Sequence, residues 1–200
     1  MKPKAVAEND DARMRLLEEG ARSYLEATTA IITFEREIQK KCRELLESNI
    51  ADYSDALRAP EILDSEEIQD WLWPSMEKFD GLSRSVGVAI QGKRFEPFVK
   101  WWGTYCTLDW EENDCYASVC EWIGGPWIKS EQLFQTLQKT GVETYNSTSR
   151  TGLFHNEKNV GLCQLINVEN AQRFEEPLER ALLQWIKLWK KIGGLKGVFK

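Results

Sequence analysis

The stretch 98–123, FVKWWGTYCTLDWEENDCYASVCEWI, decides the fold. Aromatic, β-branched and small residues alternate on both sides of EENDC (111–115), a break rich in turn formers. Alternation with period two, interrupted by Asn and Asp, predicts two antiparallel strands, 98–110 and 115–123, joined by a hairpin. Upstream, SVGVAIQG (85–92) is short, β-branched and closed by glycine, and predicts a third strand over 86–91. The three form a meander that Gly124-Gly125-Pro126 ends.

Outward from the meander the period changes. Residues 129–140 read as a helix with Leu133, Phe134 and Leu137 inward and Gly141 past its end. Strand-like pieces follow at 142–148, 153–154 and 160–168, with a polar turn at 155–159. Phe174, Leu178, Leu182, Trp185 and Trp189 then step by fours and threes along a last helix. Pro177 belongs in its first turn, and Gly193-Gly194 stops it.

Upstream, residues 11–57 contain no proline and only one glycine, Gly20. Met14, Leu17, Ala21, Tyr24, Ile31, Ile38, Cys42 and Leu45 recur by threes, fours and sevens, a heptad seam weakened at Thr28, Glu35 and Asn49. Asn9, Asp10 and Asp11 are its capping candidates. At 1.5 Å per residue such a helix would be roughly 70 Å long. It therefore either pairs with another chain or breaks near Gly20 or Asn49. Residues 64–79 carry Ile68, Trp71, Leu72, Met76 and Phe79 at helical spacing, with Asp64-Ser65-Glu66-Glu67 as a start and Pro74 as a kink.

The expected fold class is α+β: a long N-terminal helix, then an antiparallel sheet of about five strands packed by a middle helix and a C-terminal amphipathic helix. Residues 1–60 form a coiled-coil-like segment and 61–200 an α+β domain. The element order over about 60–192 resembles that of small acidic secretion chaperones, a resemblance of order alone. The tryptophans and the long first helix depart from it, and no activity is carried over.

Composition narrows the function classes. The 200 residues are 42% hydrophobic and 29% charged, which excludes a disordered chain. A net charge of −6 excludes a uniformly basic nucleic-acid binder. The charge is uneven: net −2 over 1–60, −8 over 61–125 and +4 over 126–200. No apolar run reaches bilayer length and the N-terminus has no leader pattern, so a cytoplasmic protein without membrane contact is expected. Five cysteines at irregular spacing and one histidine predict reduced thiols, not a zinc site.

No phosphate-cradling loop or nucleophile motif is present. His155 could meet Cys163 across a hairpin as a Cys–His pair. Asp109, Glu111, Glu112, Asp114 and Glu121 crowd one hairpin. Such carboxylates can hold Mg²⁺ for phosphoryl transfer, but Glu121-Trp122-Ile123 lacks the lysine a nuclease strand carries. No metal site or cofactor is assigned; Asp109, Asp114 and Glu121 are the residues a metal would use. The nine tryptophans all follow residue 70. Trp101 and Trp102 are adjacent and so face opposite sides of a strand. Trp101, Trp102, Trp110, Trp122 and Trp127, with Tyr24, Ile31 and Ile38 on the seam, are the candidate interface. Lys187, Lys190, Lys191 and Lys196 are candidate contacts to nucleic acid or an acidic partner.

These features favour a non-enzymatic interaction protein (an adaptor, inhibitor or chaperone-like binder) that engages a protein partner or itself. The alternative is a metal-dependent enzyme acting on nucleic acid through the hairpin 109–121. A third reading is a small-molecule sensor with a tryptophan-lined pocket.

Overall fold

The computed structural model describes residues 4–58, 68–74, 84–92, 101–111, 114–124, 130–146, 151–157, 159–166 and 168–198. By contact density the chain divides into two units, Met1–Glu37 and Ile38–Lys200. The boundary falls inside the first helix, upstream of the division at residue 60 expected from the sequence.

That helix, α1, runs unbroken over Lys4–Leu57. Its start lies upstream of Asn9, Asp10 and Asp11, so these residues sit inside the helix and do not cap it. Neither expected break point interrupts it. Asn49 stays helical and its amide donates to the Leu45 carbonyl at 2.8 Å, one turn back. Thr29 and Thr33 bond their own preceding turns in the same way. The helix stops at Arg58, whose backbone turns left-handed at φ 52° just before Ala59-Pro60.

The second unit is built on one six-stranded antiparallel sheet. Its strands are β1 Ile68–Pro74, β2 Arg84–Gly92, β3 Trp101–Glu111, β4 Asp114–Gly124, β5 Gly152–His155 and β6 Asn159–Ile166. They lie in the order β1-β2-β3-β4-β6-β5. The β2–β3–β4 meander matches the sequence reading. β1 does not: Ile68–Pro74, expected inside a kinked helix, is a strand paired with β2 from Ile68↔Ile90 to Pro74↔Arg84. The sheet edge of β2 supplies backbone partners, and an edge strand tolerates Pro74 at its end. The rest of that expected helix lies outside the described residues. Of the strand expected over 142–148, the described residues 142–146 form only bridges, at Thr144 and Asn146.

Three helices complete the unit: α2 Ser130–Gln138, α3 Glu175–Ile192 and the short α4 Leu195–Val198. A 3₁₀ segment at Val168–Arg173 precedes α3, and Pro177 falls in its first turn. Gly193 closes α3 in the left-handed conformation, and Gly194 follows at φ 72°. A Cβ at Gly194 would strike the Leu57 carbonyl, so this turn requires glycine for space as well as for φ.

Register sorts the side chains. One sheet face carries Val86, Val88, Ile90, Cys106, Leu108, Ala117, Val119, Val160 and Leu162, all buried. Against it pack Leu178, Leu182, Trp185 and Trp189 of α3, and Ile38, Cys42, Leu46 and Tyr53 of α1. Trp185 and Trp189 meet edge to face, with ring centroids 6.1 Å apart. The opposite face is mixed, with small and polar residues beside the aromatic Tyr116 and Phe154. It carries Ser85, Gly87, Ala89, Tyr105, Thr107, Asp109, Ser118, Cys120, Gly161 and Cys163.

Candidate functional site

The seam of α1 has two fates. In the second unit Ile38 and Cys42 of the seam are fully buried, together with Leu46, Tyr53 and Leu57 beside it, and Leu45 is half-buried. In the first unit Glu35 is buried, but the large apolar side chains are bare. Exposure is 57% at Met14, 58% at Leu17, 71% at Tyr24, 63% at Leu25, 51% at Ile31 and 41% at Ile32. Leu16, off the seam, is exposed as well. Scattered apolar residues on a surface are ordinary, but a row of six along one helix face is a patch. Of the seam residues named as a candidate interface, Tyr24 and Ile31 are exposed and Ile38 is fully buried.

The tryptophans divide by register. Trp102 and Trp110 share the face of Thr104 and Glu121, whereas Trp101 and Trp122 share the face of Tyr105 and Asp109. Trp110 pairs with Cys115 and Trp122 with Gly103, so those two are far apart along the strands. The side chains of these four lie outside the described residues, as does Trp127 altogether. Of the basic residues, Lys190 approaches Asp52 at 3.7 Å and Lys191 donates to the Thr140 carbonyl. Lys187 and Lys196 are exposed.

The carboxylates of the hairpin diverge. Glu121 pairs with Thr104, and Asp109 with Tyr116, which puts the two acids on opposite faces of the sheet. The side chain of Asp114 lies outside the described residues. Among the described residues no group of three or more His, Cys, Asp and Glu side chains is arranged to hold a metal ion.

Each acid has its own surroundings. Glu121 is completely buried. Its Oε2 accepts from Thr104 Oγ1 at 2.7 Å and its Oε1 from Trp185 Nε1 at 2.8 Å. The Tyr53 hydroxyl lies 3.2 Å from Thr104 Oγ1 and extends the chain of hydrogen bonds to α1. Burial drives this carboxyl well above the usual range, and the Trp185 and Trp189 indoles pull it back only in part. Its hydrogen bonds tie α3, β3, β4 and α1 together. Asp109, on the other face, is also raised by burial, with the hydroxyls of Ser85, Ser118 and Thr107 opposing. Tyr105 is pushed up to about 12 and Cys115 to about 12 by burial, and Cys163 to about 11. Cys42 is raised first by its hydrogen bond with Cys106. All five cysteines are unbridged, and Cys42, Cys115, Cys120 and Cys163, held above the usual thiol range, make poor nucleophiles.

His155 does not meet Cys163. It sits opposite Val160 on the helix-covered face, while Cys163 points the other way, opposite Gly152. Its Nε2 lies 2.6 Å from Glu131 Oε2, and its ring stacks on Phe134 at 4.0 Å. Hydrogen bonds from Gln135 and then His155 hold Glu131 below its usual value. Ser130, Glu131, His155, Asn156 and Glu157 line a shallow open recess there. The Ser130 hydroxyl is committed to the Asn156 carbonyl and is not aimed at the histidine.

The sequence reading missed the Glu121 network. Its only local signal was a glutamate at an inward register position of an otherwise apolar strand; the indole that satisfies it is 64 residues away. Among the described residues no helix is long and apolar enough to cross a membrane. Comparison with known protein families, curated proteins and solved structures finds no match to this chain.

Proposed function

We propose that the chain is a non-enzymatic, cytoplasmic protein-interaction module that binds through the exposed apolar face of α1. The observation that carries this reading is the row Met14, Leu17, Tyr24, Leu25, Ile31 and Ile32, each more than two-fifths exposed on one face of α1. Apolar area of this kind gains stability only when a partner covers it. The remaining polar groups with unusual environments, Glu121 and Asp109, are hydrogen-bonded within the fold and diverge from one another. That arrangement gives the nucleic-acid enzyme reading less support than the interaction reading.

The test compares the full chain with a Leu17→Glu/Tyr24→Glu/Ile31→Glu variant as bait in lysate of the native cell, with light scattering on each eluate. The reading expects the unmodified chain to elute in a stoichiometric assembly, of itself or with a companion. The variant should elute alone with an unchanged circular dichroism spectrum. Equal behaviour of the two would refute it.

A further inference from the structure

We infer that the partner of the α1 face is a second copy of the chain, wound in parallel and in register over residues 13–32. This rests on the interaction reading above and names its partner. With Met14 at position a of a heptad, the seam takes Met14, Ala21 and Thr28 at a, and Leu17, Tyr24 and Ile31 at d. Leu25 and Ile32 then fall at e, and Arg13, Gly20 and Ala27 at g.

In a parallel pair each g residue lies beside the e residue five positions later on the other helix. Arg13 meets Glu18, an opposite-charge pair made twice by symmetry. Gly20 meets Leu25 and Ala27 meets Ile32, so each large e side chain finds a small g neighbour. No like-charge e–g pair arises between 13 and 32. An antiparallel pair would set e against e and g against g, and would lose all three matches.

Gly20 supports the same arrangement independently. A Cβ there would touch nothing within the chain, so the chain's own packing gives no reason for glycine. Glycine in a helix interior costs roughly 1 kcal/mol relative to alanine. A partner's Leu25 lying against it supplies the reason. The area is also adequate. The six exposed side chains, four on the seam and two at e, offer at most roughly 650 Å² per copy and about 1,300 Å² per pair, at the lower end of the range of about 1,200–2,000 Å² that specific interfaces bury.

The experiment is oxidative cross-linking of the full chain. Ala21→Cys places a thiol at a, where parallel in-register helices bring the two copies together; Ser23→Cys places it at c, on the outer surface. The native cysteines are internal, four of them buried. With copper phenanthroline, Ala21→Cys should form a disulfide-linked dimer at least about tenfold faster than Ser23→Cys. Light scattering on the unoxidised chain should give twice 23.2 kDa. A dimer in which Ala21→Cys does not cross-link would overturn the parallel register. A monomer that captures a different protein through the intact face would overturn self-pairing and leave the interaction reading standing. A monomer that cosediments with anionic lipid vesicles through that face would assign it to a membrane surface and overturn both. A monomer whose behaviour the Leu17→Glu/Tyr24→Glu/Ile31→Glu variant does not change would also overturn both.

Discussion

The two ends of α1 each carry an apolar stripe, in two environments. From Ile38 to Leu57 the stripe is sealed: Ile38, Cys42, Leu46 and Leu57 touch no solvent, and Tyr53 reaches Thr104. From Met14 to Ile32 every large apolar side chain is at least 41% exposed. Helical periodicity thus specifies that a face is to be buried and leaves open what buries it. The folded core covers one end; the other is the face assigned above, as a proposal, to a partner.

Mutations should separate the ends sharply. The largest effect is expected at Trp185→Ala, which opens a cavity in the helix-covered core and removes a donor from the buried Glu121. Denaturant melts should show a loss of about 3–5 kcal/mol. Leu46→Ala, in the sealed stripe, should cost about 2–5 kcal/mol. Leu17→Ala, its counterpart in the bare stripe, should stay within about 0.5 kcal/mol when the chain is dilute enough to be unassembled. If Leu17→Ala costs as much as Leu46→Ala under those conditions, the two ends do not differ as described.

A smaller, pH-dependent effect sharpens the description of the sealed end. Glu121 has a raised value in the fold and an ordinary one, about 4.3, when unfolded. The folded state therefore keeps a proton that the unfolded state releases. Stability should be fully present below about pH 4.3 and should decline as pH rises toward the folded value. Glu121→Gln keeps the shape and cannot ionise. Melts between pH 5 and 8 should show a shallower decline for Glu121→Gln, with Asp109 accounting for the slope that remains. Identical slopes would mean that Glu121 is charged in the fold. The smallest change is expected at His155→Ala, which breaks the exposed pair with Glu131 and the stacking on Phe134. Any loss there should diminish with added salt.

Local pattern made much of the fold legible. β2, β3 and β4 were readable because alternation and a tight turn act within about ten residues. α3 was readable because Leu178, Leu182, Trp185 and Trp189 mark one face and Pro177 and Gly193 its limits. β1 was misread because Ile68, Trp71 and Leu72 also satisfy a helical period, and because pairing with β2 is a tertiary fact. His155 and Cys163 were mispaired by parity, since one register step turns a side chain to the other face. The seam on α1 was visible throughout; which part of it the fold would cover was not, because burial is a tertiary fact that periodicity does not carry.

Amide hydrogen exchange on the full chain across a dilution series, resolved by segment, tests the central claim most directly. A helix face covered by another molecule exchanges according to assembly, and one covered by its own fold does not. The account predicts that protection over 14–32 rises with protein concentration while protection over 38–57 stays constant. Protection over 14–32 that is the same at every concentration, and unchanged by Tyr24→Glu/Ile31→Glu, would contradict it.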